Sequence, residues 1–371
     1  MTARRLLLRA AAVLMGVAVA AVGCAGTESD EDSGSAAAAS NARTVSLAFY
    51  AHYAPVSSSL DPRPGTAGFD LHAGYEADLL DAVEAMSGIG VTFLRHGVDD
   101  WGGIWLLPAA EGIDMACGGI TIDDGRTRGP DGEVAVRFTD GHIEFRQSLL
   151  VRAADSARLD AYDALDSDDS VGVQTATTGE SRLLQLIGVA DDDGRLTEGT
   201  VIVIEAEGGG ADSSVVEATA GSDLRISPGG ASAELVGRTR LIPADPSKPE
   251  VVYLDRLQST GLDTADTSES QLDALRNGTV DAIAQGIVET TAAAAAYGDE
   301  FAVSVIDEQV ETGGCTVDAD DADLADRMNT ALEWLTDHGE IGFEEWADNA
   351  DVFIERAAAW AESAPASPTD E

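Results

Sequence analysis

The chain has 371 residues, 44% of them hydrophobic, enough for two packed domains. Its 67 acidic residues against 22 basic ones give a formal net charge of −45, and Lys248 is the only lysine. Nucleic acids are held by basic patches, so this balance excludes a nucleic-acid partner. Such a surface suits high salt, where screening removes self-repulsion; GC-rich codon usage is an alternative source of the missing lysines.

Residues 1–23 read as a targeting leader. Arg4, Arg5 and Arg9 form a positive start, and Ala10 to Val22 is an apolar run too short to span a membrane stably. Ala21-Val22-Gly23-Cys24 resembles a lipoprotein processing site, with Ala21 where Leu is usual, which implies lipidation of Cys24. Residues 24–43 are small and acidic, the composition of a flexible tether.

From Thr44 the pattern alternates between strand and helix. Val45 to Phe49 reads as a strand, with Tyr53 just past its end. Leu79, Leu80, Val83 and Met86 recur at helical spacing before Gly88. Val91 to Leu94 is a second strand and Trp105 to Ala110 a short helix. Ile113 to Cys117 is a third strand, broken at Gly118-Gly119. This is an α/β pattern with a largely parallel sheet expected. Thr121 and Arg126 follow the break. A hydroxyl and a planar guanidinium there suit a small carboxylate; read alone, the stretch is as readily a strand end with a surface arginine.

Ser148 to Val151 is a further apolar run, Leu159 to Leu165 a helical turn, and Val171 to Val173 a new strand. Thr177 or Thr178 caps the helix starting near Glu180, whose free N–H groups make an anion site or a plain cap. Residues 187–262 read as a β-rich elaboration, with strands at Val201 to Ile204, Arg238 to Ile242 and Val251 to Leu254, and glycine runs at Gly208 to Gly210 and Gly229-Gly230. No function is legible in it. A helix over Gln271 to Arg276, a strand over Val280 to Ala284, a turn at Gly286 and an alanine-rich helix follow. Val303 to Ile306 is a strand, and Gly313 to Val317 returns to the first half. Leu324, Met328, Leu332 and Leu335 place one apolar face on a helix over Asp323 to His338. A last helix begins at Gly342, and the chain after Ala359 is expected to be loose.

In order and spacing these segments resemble bacterial family 3 solute-binding proteins, the polar-amino-acid type serving ABC importers. The resemblance rests on Gly74 to Val83, Leu106 to Asp114, Gly119 through Arg126 with Phe138-Thr139-Asp140 and Gln147 to Arg152, and Val171 to Glu180. It implies a type II periplasmic-binding-protein fold: two α/β lobes, each a mixed, mostly parallel sheet flanked by helices, joined by two hinge strands. Lobe 1 would take residues 44–150 and 312–362, lobe 2 residues 151–311 with the insertion at 187–262, and 363–371 would be a disordered tail. It further implies an extracytoplasmic, lipid-anchored monomer, without cofactor, that passes an amino acid or organic carboxylate to an ABC permease. Arg126 would grip the carboxylate, with Thr121 and Gly119 beside it. Tyr53 and Trp101 would be aromatic walls, and Thr177 and Thr178 would close from the second lobe. The family's acidic partner for the ligand amine falls here on Gly286, and Glu289, one turn on, is a substitute.

Nothing in the sequence reads as a catalytic set. The five histidines lack metal-ligand spacing and no cysteine pair is CxxC. Cys117 and Cys315 are available to pair outside the cytoplasm or to stay free. Two other readings stand beside the transport one: an enzyme on the same scaffold resembling cyclohexadienyl dehydratases, and a sensory or assembly lipoprotein using the insertion as a contact surface.

Overall fold

The computed structural model describes residues 42–205, 213–254 and 270–363. The expected leader, Cys24, the tether up to residue 41, Gly208 to Gly210 and residues 364–371 lie outside the described residues. Within them the chain builds two lobes, each around one sheet.

The first sheet has the order Val91–Val98, Arg43–Tyr50, Met115–Thr121, Glu311–Asp318, Val136–Phe138, with Ile143–Phe145 also paired to Glu311–Asp318. The second runs Ser213–Glu217, Val201–Glu205, Arg238–Ile242, Glu250–Tyr253, Ser170–Val173, Ala282–Gly286, Gln147–Arg152, Phe301–Ile306. The sheets are less parallel than the alternation suggests. In each, parallel pairing is confined to three adjacent strands: Arg43–Tyr50 with its two neighbours, and Ser170–Val173 with its two. The remaining pairings in both are antiparallel, because strands that cross between lobes or return by hairpins enter in the opposite sense.

Two connections join the lobes. Ile143–Phe145 in the first sheet leads directly into Gln147–Arg152 in the second, and Phe301–Ile306 leads back to Glu311–Asp318.

Apolar periodicity explains the packing. On the first lobe, Leu79 and Val83 of the helix Tyr75–Ala85 meet Leu47 and Val45 of the sheet, joined by Leu324, Met328 and Leu332 of the helix Ala322–Leu335. Each such side chain contributes roughly 1.5–3 kcal/mol on burial. Asp321 caps the second of these helices through the Leu324 N–H at 3.1 Å and pairs with Arg43. The second lobe has its own core, in which Val171, Leu183, Ile202, Leu241 and Val251 are buried.

Four local expectations change. The third strand does not break at Gly118-Gly119 but runs over Met115–Thr121, because Ile120 and Thr121 keep pairing with Gly314 and Gly313. The helix from Ala322 stops at Leu335 rather than His338, and Asp337 and His338 take left-handed φ of 50° and 59°. The last helix is two, Phe343–Asp348 and Val352–Ser363, with extended backbone at Asn349 between them. The chain beyond Ala359 is not loose through Ser363: the helix continues, and Trp360 donates to the Ser87 carbonyl at 2.8 Å.

Candidate functional site

A cleft lies where the strand ends of the two sheets face each other. About 530 Å³ of space free of protein atoms lies in it, open solvent at its mouth included. Tyr53, Trp101, Gly119, Thr121, Arg126, Thr177, Thr178 and Gly286 all line it. So do Tyr50, Phe145, Gln147, Gln174, Gln285 and Glu289. Of this second set only Glu289 was singled out from sequence. Tyr50 had a signal, since it ends the first strand. Phe145 and Gln285 had none, because which strand ends converge is decided by tertiary pairing.

Arg126 occupies one pole. It sits in the short 3-10 turn Asp124–Thr127, which Asp123 caps by accepting the Gly125 N–H at 2.8 Å. The side chain is 1% exposed, and its guanidinium carbon lies 5.4 Å from the Trp101 ring and 4.8 Å from the Trp105 ring. Cation–π contacts of this kind contribute about 0.5–2 kcal/mol each. Among the described residues its hydrogen bonds go to carbonyls and to no carboxylate: Nε to Pro228 at 2.9 Å, Nη1 to Thr121 at 3.0 Å and Nη2 to Ala176 at 3.0 Å. Burial pulls the guanidinium down to about 10, against the attraction of Asp123 and Glu311. Three of five N–H donors are thus used, and one on each terminal nitrogen is left.

The lobes meet at the Ala176 carbonyl. It accepts from Arg126 Nη2 and from Trp101 Nε1 at 2.9 Å. Ala176 holds φ of 60°, a left-handed conformation costing an alanine roughly 1–2 kcal/mol. Its own N–H is fixed by the Glu180 carboxylate at 2.6 Å. The two threonines have separate duties. Thr177 caps the helix Thr178–Leu186, accepting the Glu180 N–H at 3.1 Å and donating to the Gln174 carbonyl at 2.8 Å. Thr178 faces Thr121 across the cleft, hydroxyl to hydroxyl at 3.4 Å, and accepts from Gln147 Nε2 at 2.8 Å.

Gly119 forms part of the cleft wall. Its N–H is already donated to Glu76 at 2.9 Å. Its φ is 70°, and a Cβ there would lie 2.4 Å from the Tyr53 ring, so glycine lets Tyr53 lie flat on this strand. Glu76 also meets His142 Nε2 at 3.1 Å, and the two form a buried cluster with Cys315 within 4.8 Å. That sulfur is bonded to Cys117, so the two cysteines form a disulfide between adjacent strands of the first sheet.

Another part of the cleft wall is acidic. Gly286 precedes the helix Ile287–Tyr297, and a Cβ at 286 would lie 3.1 Å from the Tyr53 hydroxyl. A side chain at 286 would therefore press on the phenol, which would have to give by a few tenths of an ångström. Glu289, one turn on, lines the cleft and is 8% exposed. Burial pushes its carboxyl up to about 8, opposed by a hydrogen bond with Gln285. The Tyr53 phenol is pushed up by burial and by Glu289, Glu76 and Glu311. Burial raises Glu311 too, despite hydrogen bonds from Gln147 and Thr178.

The sequence profile of bacterial extracellular solute-binding proteins, family 3, matches residues 46–346. No curated protein sequence matches the chain. Among solved structures, the arginine-, lysine-, histidine-binding protein ArtJ from Geobacillus stearothermophilus is similar at 17% identity, over 87% of this chain and 97% of that one, with a TM-score of 0.48. Holo ArgBP from T. maritima is similar at 18% identity, over 82% and 96%, with a TM-score of 0.47. AbpA from Streptococcus pneumoniae, bound to L-arginine, is similar at 14% identity, over 86% and 95%, with a TM-score of 0.49.

Proposed function

The chain belongs to the bacterial extracellular solute-binding proteins, family 3, and on that premise we propose that it captures an amino acid, or a related small carboxylate carrying a cationic group, and delivers it to an ABC permease. One observation carries the ligand class: Arg126 is buried in the cleft with its hydrogen bonds to carbonyls and two N–H donors unspent. A buried cation with no carboxylate bonded to it is costly, and a ligand carboxylate would bond this one directly. Thr121 and Thr178 flank that position, and Tyr53 and Trp101 wall it. Glu289 takes the ligand's cationic group in place of the acid that Gly286 lacks. Because Arg126, Trp101 and Thr121 belong to one lobe and Ala176 and Thr178 to the other, a ligand bound to both favours the closed form.

A thermal-shift screen of amino acids, their derivatives and small organic acids tests this, since a ligand bound only to the folded state stabilises it by about 2.7 kcal/mol at a hundred times its Kd. We expect a shift from ligands with both a carboxylate and a cation. A ligand that shifts the wild type and the Arg126→Ala variant equally would refute the site. The lipid anchor belongs to the same reading: labelled fatty acid should enter the wild type and not Cys24→Ala. An enzyme reading has one observation in its favour, a buried acid at Glu289 held protonated near neutrality. Turnover of prephenate or arogenate, lost in Glu289→Gln, would favour it.

A further inference from the structure

The segment between the helices Thr178–Leu186 and Gln271–Asn277 reaches the site at two places. Its strand Glu250–Tyr253 pairs in parallel with Ser170–Val173, so it belongs to the middle of the second sheet. Next to it, Arg238–Ile242 carries Arg238, whose guanidinium binds the buried Glu180 carboxylate at 2.6 Å and 3.1 Å. That carboxylate holds the Ala176 N–H, and the Ala176 carbonyl holds Arg126 and Trp101. The second place is direct. A small hairpin, Ile226–Ser227 paired with Gly230–Ala231, is rooted in the second lobe: Ile226 is fully buried in that core and its N–H donates to Gly194 at 2.8 Å. Its turn reaches the first lobe. The Pro228 carbonyl accepts from Arg126 Nε, and Gly229 packs backbone to backbone on Gly125, so closely that a Cβ at 229 would lie 2.5 Å from the Gly125 carbonyl.

We infer that the hairpin Ile226–Ala231 is a third jaw of the site, which seals the Nε edge of Arg126 and ties the lobes together at that pole. The inference deepens the function proposed above and rests on it for the ligand. With Nε taken by Pro228, a carboxylate reaches Arg126 only through the remaining donors of Nη1 and Nη2. The hairpin therefore excludes ligands whose carboxylate is flanked by bulk on the Gly125 side. It also adds a contact that must break before the lobes part, which slows both entry and exit.

Amide hydrogen exchange on the full chain without ligand separates the jaw from the ligand reading. Gly229→Val places a branched side chain against Gly125. We expect amides over residues 123–128 and 226–231 to exchange roughly tenfold faster, while the helix Tyr75–Ala85 keeps its protection. Val236→Ala, at an exposed site of the same segment, should leave both stretches unchanged. Should Gly229→Val lose protection throughout, Arg126→Lys decides: it keeps the positive charge but lacks the guanidinium Nε–H, and should free residues 226–231. Unchanged exchange at 123–128 in a folded Gly229→Val, or at 226–231 in Arg126→Lys, overturns the jaw. Failure of every carboxylate in the thermal-shift screen would count instead against the ligand reading, with the jaw still decided by exchange.

Discussion

The two poles of the cleft are built on opposite principles. Around Arg126 everything is fixed in advance: two indoles, three carbonyls and a turn capped by Asp123 hold the guanidinium in one pose. Around Glu289 one neutral partner, Gln285, meets a carboxyl that burial keeps protonated up to about pH 8. A charge held ready is suited to selecting a fixed group, because its ordering cost is met in folding. A neutralised acid is suited to answering a variable one, since it takes up its charge only when a cation arrives.

The largest expected effect tests the rigid pole. Arg126→Ala removes the cation positioned for a carboxylate there, and truncating a buried charge partner typically costs 2–5 kcal/mol, so ligand affinity by calorimetry should fall at least about thirtyfold. A smaller effect tests why the acid moved. Gly286→Asp restores an acid at the helix start but drives it against the Tyr53 hydroxyl. We expect a loss of roughly 1–3 kcal/mol in denaturant unfolding, as for other overpacked sites. Tyr53→Phe, which removes the hydroxyl, should recover part of it.

The smallest effect concerns protons. Folding raises the Glu289 carboxyl from an ordinary 4.5 to about 8. The folded state thus binds this proton more tightly than the unfolded one. Its contribution to stability is full below about pH 4.5 and is lost as pH rises through about 8. The melting temperature of the unliganded wild type should fall across that window more steeply than that of Glu289→Gln. The groups facing Glu289 do not imitate the effect, because the Tyr53 phenol is raised above its usual range and Gln285 does not titrate. Binding of a cationic ligand at neutral pH should release a proton, read as a binding enthalpy that changes with buffer ionisation heat. An enthalpy independent of buffer would mean that Glu289 is not the group that meets the ligand.

This contrast also explains what could be read beforehand. Gly119 and Thr121 lie at the end of the strand Met115–Thr121, and Arg126, Thr177 and Thr178 follow strand ends within short stretches, so local pattern places them, and the cleft gathers them. Tyr50, Phe145 and Gln285 come together only because strands from distant parts of the chain end at one place. The strand Ser213–Glu217 was missed because it is a short, largely exposed edge with Val215 facing solvent. The hairpin at Pro228 lacked any apolar alternation, and its meaning lies in a contact with a residue 102 positions away. The Cys117–Cys315 bond is equally non-local, with no short spacing to announce it.

That bond has a topological consequence. It closes a covalent ring across 198 positions of sequence, and the strands of the second sheet, from Gln147 to Ile306, all lie inside the ring. The second lobe therefore hangs from the first as a closed loop. A pull applied between residues 43 and 363 runs through the first lobe and crosses at the sulfurs, bypassing the second lobe. A single proteolytic cut anywhere within the ring leaves the molecule in one piece until the disulfide is reduced.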